Sequence, residues 1–159
     1  MKSSLLAFFL ILTTVTFTHA QEIEVIKFDD LHRLISQQKN GYSVINFWAT
    51  WCKPCIAELP YFEKLNDQSD SETTVYLISF DFVEELETKV TGFVKKKGLK
   101  SEIKLLDETD YNSFIDKVSE EWSGAIPATL FVNHESGKRQ FFEGEFEEDE
   151  LFEAWEDFR

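Results

Sequence analysis

Residues 22–28 (EIEVIKF) alternate polar and apolar side chains, the period-two pattern of a half-buried strand. Leu31, Leu34 and Ile35 then share one helical face, which predicts a helix over 31–38 with Asp29 or Asp30 as its cap and Asn40-Gly41 at its end. Residues 42–49 (YSVINFWA) are almost continuously apolar, as a strand covered on both faces must be. A helix over 52–67 follows, then a second buried strand over 74–80 (TVYLISF). Leu86, Val90, Phe93 and Val94 predict a helix over 83–97. Lys95, Lys96 and Lys97 read as its solvated last turn, favourable to the helix dipole, and Gly98 as its stop. A short strand over 103–106 precedes a helix capped by Asp110 that carries Phe114, Ile115 and Val118. Residues 128–132 and 139–142 predict a hairpin around a turn at 133–137. The last helix, 147–158, gathers Leu151, Phe152, Trp155 and Phe158 on one face, and its acidic start suits the positive end of its dipole. The order βαβαβαβαββα predicts an α/β fold: a central mixed β-sheet flanked by helices on both faces, with an antiparallel edge. No repeat, low-complexity tract or linker interrupts it, so residues 21–159 read as one domain.

Residues 1–20 follow a different rule. Lys2 gives a positive start, residues 5–15 are apolar apart from Thr13 and Thr14, and Ala20 ends an imperfect small-residue cleavage site. This is the pattern of a secretory signal peptide. The apolar stretch, 5–17, is short for crossing about 30 Å of hydrocarbon, and no Cys lies near the cleavage point to carry a lipid. The expected compartment is exported, periplasmic or otherwise extracytoplasmic, with membrane anchoring as the alternative if the signal is retained. Cleavage would leave 139 residues with a formal charge of −15.

Composition narrows the function classes. The 159 residues are 43% hydrophobic and include 16 Phe and 4 Trp, ample for a packed core and too apolar for a disordered chain. A formal charge of −14 repels phosphate backbones, so nucleic acid is not an expected partner. The acidity reads most simply as a solubility feature, although it could steer a basic partner. The chain has two Cys, too few for a disulfide-stapled mini-protein or a four-Cys zinc site. His32 and His134 read as surface residues without metal-ligand spacing, and no metal or cofactor is expected.

The two Cys sit in Trp51-Cys52-Lys53-Pro54-Cys55, where a buried strand turns into a helix. Unpaired N–H groups and the dipole at a helix start favour a thiolate, which can lower a Cys pKa to roughly 3.5–7.5 from about 8.5. Cys52 is therefore expected to be the exposed attacker beside the polar Lys53, and Cys55, one turn in, the buried resolving thiol. Pro54 suits the first helical turn, where no N–H is needed. A plain structural disulfide is the competing reading, but so short a loop adds little chain-entropy stabilisation. Trp51 is expected to cover the pair with its indole face, and Trp122 to be core or part of a substrate groove.

The block Val44-Ile45-Asn46-Phe47-Trp48-Ala49-Thr50-Trp51-Cys52-Lys53-Pro54-Cys55 with Glu58-Leu59-Pro60, and the second block Trp122-Ser123-Gly124-Ala125-Ile126-Pro127-Ala128-Thr129-Leu130-Phe131-Val132, resemble the thioredoxin-like superfamily, most closely its exported thiol–disulfide oxidoreductases of the TlpA/ResA type. The resemblance implies a thioredoxin-like fold in which Pro127 is cis and packs beside a redox-active Cys52–Cys55 disulfide. It implies that the Ile126 backbone pairs with an extended substrate segment, a form of strand addition. It also implies that Glu58, on the helix face of Cys55, tunes the thiols; a partly buried carboxylate with a raised pKa could take the Cys55 proton. Thioredoxin itself has a buried Asp where this chain has Asn46, which cannot accept that proton. Pro60 is expected to kink its helix.

The resulting expectation is reduction of disulfides in exported client proteins, apocytochrome c among the candidates. A membrane electron-donor protein of the thiol-reductase type would restore the dithiol, and the chain is expected to act as a monomer. The same site could run as a disulfide oxidase or isomerase, depending on how strongly the fold stabilises the Cys52 thiolate. A non-enzymatic Cu(I)-binding chaperone using the Cys pair is a third reading, since soft sulfur suits Cu(I). The only Met, Met1, would leave with the signal.

Overall fold

A computed structural model describes residues 22–159; the expected signal peptide, residues 1–20, lies outside the described residues. The elements are β1 (Glu24–Ile26), α1 (Phe28–Ser36), β2 (Tyr42–Trp48), α2 (Lys53–Gln68), β3 (Thr73–Ser79), a 3-10 turn (Val83–Glu85) and a π turn (Leu86–Val90) leading into α3 (Thr91–Lys97), β4 (Glu102–Leu106), a 3-10 turn (Tyr111–Ser113), α4 (Ile115–Val118), β5 (Ala128–Asn133), β6 (Arg139–Glu143) and α5 (Glu148–Phe158). The expected alternation is present, with boundaries moved by local chemistry. β1 stops early because the chain turns into α1 at Phe28. There the Asp30 carboxylate accepts the Lys27 N–H at 3.1 Å, so Asp30 works from inside the first turn rather than as the cap. The stretch expected as one helix over 83–97 is helical but divided, and its β-branched Val83, Thr88, Val90 and Thr91 are poor helix formers. The helix expected after Asp110 is reduced to one 3-10 turn and four α-helical residues, and the Asp110 side chain makes no cap bond.

The six strands form one sheet in the order β1-β4-β3-β2-β5-β6. β1, β4, β3 and β2 are parallel, while β5 runs antiparallel to β2 and β6 antiparallel to β5. β2 lies inside the sheet, and Ser43 to Trp48 are all buried, so both of its faces are covered. On one face Tyr42 and Phe131 pack edge-on against Trp155 of α5, and Trp48 meets Phe93 of α3. On the other, Phe47, Phe80 and Trp122 cluster, and Phe114 joins Phe80 to Phe28 of α1. The aromatic surplus of the composition is thus spent on two stacked layers. Trp122 is core, 3% exposed, with its ring 4.6 Å from Phe47. α2 runs on through Pro60, which stands exposed on its outer side. No helix among the described residues is long and apolar enough to cross a membrane.

Candidate active site

The C-terminal end of β2 delivers the chain into α2, and both Cys lie at that junction. They are joined as a disulfide with Cα atoms 5.3 Å apart. Cys52 is the N-cap of α2, and its sulfur accepts the Cys55 N–H at 3.3 Å, satisfying one of the donors a helix start leaves open. In the reduced protein the same N–H and the helix dipole would favour negative charge on Cys52. Cys52 is 5% exposed and Cys55 fully buried. Cys52 is the more accessible of the two, as expected, but the expectation that it stands exposed is corrected: as N-cap of α2, with the Ile126 carbonyl 3.8 Å away, it is buried. Lys53 and Pro54 are exposed in the first turn, and Trp51 is 60% exposed at the rim.

The β5 side closes over the sulfur. The Ile126–Pro127 peptide is cis, Pro127 is buried, and the Ile126 carbonyl oxygen lies 3.8 Å from Cys52 Sγ. The loop is held from both ends. Trp122 Nε1 donates to the Ala125 carbonyl at 2.8 Å, and Glu143 accepts from the Ser123 N–H and hydroxyl at 2.7 and 2.8 Å. Gly144 N–H donates to the Pro127 carbonyl at 2.9 Å. Trp122 therefore belongs to the core and also fixes the shape of this loop.

Glu58 is fully buried one turn beyond Cys55. Asn46 of β2 donates to its Oε1 at 2.7 Å, and the Phe146 N–H donates to its Oε2 at 2.8 Å. Burial pushes its pKa up from 4.5 to about 7; the two hydrogen bonds pull the other way, and nearby Glu145 adds to the rise. Asn46 also reaches Thr129 Oγ1 at 3.2 Å, while its own Oδ1 has no hydrogen-bond partner. β2, α2 and β5 thus enclose a small polar network in which one carboxylate exchanges its proton near neutral pH.

Sequence reasoning missed a second buried carboxylate. Asp81, 2% exposed, follows β3 and accepts from the Thr50 N–H at 2.9 Å, the Thr50 hydroxyl and the Ser79 hydroxyl at 2.8 Å. It ties the loop after β3 to the residue two before Cys52. The available signal was an acid immediately beyond an apolar parallel strand, at the carboxyl end where α/β sites assemble. His32 is exposed, as expected, but His134 is half-buried with its Nε2 2.7 Å from the Ser43 hydroxyl, and burial lowers its pKa. It closes the end of the β2–β5 pair rather than standing in solvent.

A family model described as AhpC/TSA family matches residues 17–138. The thioredoxin-like protein YneN of Bacillus subtilis (strain 168) is 37% identical over 79 residues, which are 50% of this chain and 46% of that protein. Thiol-disulfide oxidoreductase ResA of Geobacillus kaustophilus (strain HTA426) is 28% identical over 120 residues, 76% of this chain and 64% of that protein. The chain therefore spans less than two thirds of the length of either relative. The crystal structure of a thioredoxin-related protein from Neisseria meningitidis serogroup B, 24% identical, superposes with a TM-score of 0.63 over 75% of this chain and 85% of that one. The fold is thioredoxin-like.

Proposed function

The chain belongs to the AhpC/TSA family of thioredoxin-like proteins, and from that premise we propose that it is a thiol–disulfide oxidoreductase that reduces disulfides of exported client proteins. The observation that carries this reading is the Cys52–Cys55 disulfide at the N-terminus of α2, with Cys52 Sγ facing the Ile126-Pro127 loop. In the dithiol form the Cys52 thiolate attacks a client disulfide. A mixed disulfide forms between Cys52 and one client sulfur, and the second client sulfur leaves as a thiolate and takes a proton. Cys55 then gives up its proton and attacks Cys52 Sγ. That expels the first client thiol and leaves the Cys52–Cys55 disulfide, so two electrons have passed to the client. Glu58 is the acceptor for the Cys55 proton, since a carboxylate with a pKa of about 7 is part-ionised at neutral pH and can both take and release it.

The compartment is exported, by virtue of the signal pattern in residues 1–20. A membrane dithiol protein returns the electrons, and apocytochrome c is a candidate client. The extended client segment pairs with the Ile126 backbone. Insulin reduction with dithiothreitol tests the activity: the protein should accelerate it and Cys52→Ala should not. Cys55→Ala should accumulate mixed disulfides. The reduction potential of the pair tests direction. A value near thioredoxin's, about −270 mV, supports a reductant, and one near −120 mV would make the protein an oxidase.

A further inference from the structure

The sheet ends in two edge strands, β1 and β6. β1 is three residues long, whereas β6 runs for five, pairs one-to-one with β5, and has no Pro or bulge to blunt it. At the two ends of the β5–β6 ladder the Asn133 N–H donates to the Lys138 carbonyl and the Gly144 N–H to the Pro127 carbonyl, both at 2.9 Å. Antiparallel bonding alternates, so Gln140 and Phe142 also turn their backbone groups toward β5. Arg139, Phe141 and Glu143 turn theirs outward, and no other described strand or loop meets these N–H and C=O groups.

The side chains along this edge are complementary to themselves. Arg139, Phe141 and Glu143 share one face of the strand. On that face the Phe141 ring lies 5.7 Å from Trp122, and Glu143 accepts from Ser123. Arg139 is exposed and enters none of the ion pairs among the described residues. Two antiparallel β6 strands related by a two-fold axis at Phe141 set Arg139 opposite the partner's Glu143, at both ends, and one Phe141 opposite the other. A parallel pair sets like charges side by side instead. Arg139 and Phe141 also line, with Val118 and Leu130, a cavity of about 320 Å³ that gives the partner's ring room.

We propose that the free edge of β6 is an interface between two copies of this chain, joined antiparallel about Phe141, in place of the monomer expected from the sequence. Arg139, Phe141 and Glu143 each exchange backbone hydrogen bonds with the residue opposite. The half-buried Phe141 rings cover one another, and the end pairs of opposite charge fix direction and register. An edge of five residues buries little area, so the dimer is weak and exchanges with monomer. The interface adjoins the loop that faces Cys52, because Glu143 also holds Ser123. The proposal does not depend on the redox reading of the Cys pair.

Sedimentation equilibrium of the purified protein tests it, in roughly 0.15 M salt to screen the overall negative charge. From about 10 μM to about 1 mM, the range of weak interfaces, the mean mass should rise toward that of a dimer. Arg139→Glu places a carboxylate opposite Glu143 twice per dimer and should weaken association about hundredfold. Glu143→Lys places two cations together and should do the same. An equimolar mixture of the two variants restores opposite charges at both ends, and should regain association to within about tenfold of the parent. Three results overturn the proposal: a parent that stays monomeric throughout, an Arg139→Glu protein that dimerises like the parent, or a mixture that stays monomeric. Should Glu143→Lys fail to fold, the parent and Arg139→Glu decide the matter without it.

Discussion

Two buried carboxylates, Asp81 and Glu58, lie close to the Cys-bearing end of β2, and their surroundings differ. Asp81 accepts from three donors, one backbone N–H and two hydroxyls, which join the β2–α2 loop to the end of β3. Glu58 accepts from two, Asn46 and Phe146, beneath the fully buried Cys55. A carboxylate ringed by donors from two loops is a brace. One that burial has lifted to a pKa of about 7, with two donors to hold its charge, is suited to the proton-accepting role proposed for it. The lesson is that burial alone does not say what a carboxylate does; the groups it joins matter as well.

The sharpest way to break this contrast is to remove the brace. Asp81→Ala orphans the Thr50 N–H, the Thr50 hydroxyl and the Ser79 hydroxyl, and should cost about 4 kcal/mol in urea denaturation. A loss below about 1 kcal/mol would mean that the clamp is dispensable.

Stability against pH tests the Glu58 side of the comparison next. Folded Glu58 holds its proton more tightly than the unfolded chain does, because its pKa is raised from 4.5 to about 7. The native state therefore binds more protons in that window, and stability falls as pH rises from about 4.5 to 7. The total is about 3 kcal/mol, fully expressed above pH 7. Glu58→Gln should flatten this slope, read as urea denaturation at several pH values. Its absolute stability is a poorer guide, because a Gln amide nitrogen must face one of the two donors that the carboxylate accepts.

A kinetic contrast is slightly smaller. Glu58→Gln should slow release of the mixed disulfide about hundredfold, which corresponds to about 2.7 kcal/mol, and remove an inflection near pH 7. Stopped-flow single turnover measures it, and an intact inflection would assign the proton to another group. Smallest is Asn46→Leu, which deletes a donor to the charged form of Glu58. The inflection should move to higher pH, with a stability loss of about 1 kcal/mol where Glu58 is ionised.

The fold was largely legible in the chain. The run YSVINFWA announces β2 because a strand buried on both faces has no polar alternation to display, and a helix face such as Leu151, Trp155 and Phe158 is visible at its own period. Boundaries were less legible where they depend on one hydrogen bond, as at Lys27 and Asp30, or on marginal propensity, as in the divided run before α3. The Cys pair, Glu58 and Pro127 were placed from local spacing and resemblance. Asp81 and the half-buried state of His134 were not, because their partners are Thr50 and Ser43, 31 and 91 residues away.

By itself the sequence determined the order of elements, the mixed sheet and the position of the two sulfurs at a strand-to-helix junction. These follow from periodicity and short-range chemistry, which are written into consecutive residues. Only the tertiary structure decided that Glu58 is buried against Asn46 and Phe146 and that Asp81 joins Thr50 to Ser79. Those outcomes depend on desolvation and on donors supplied by distant strands, and neither quantity exists until the chain has packed.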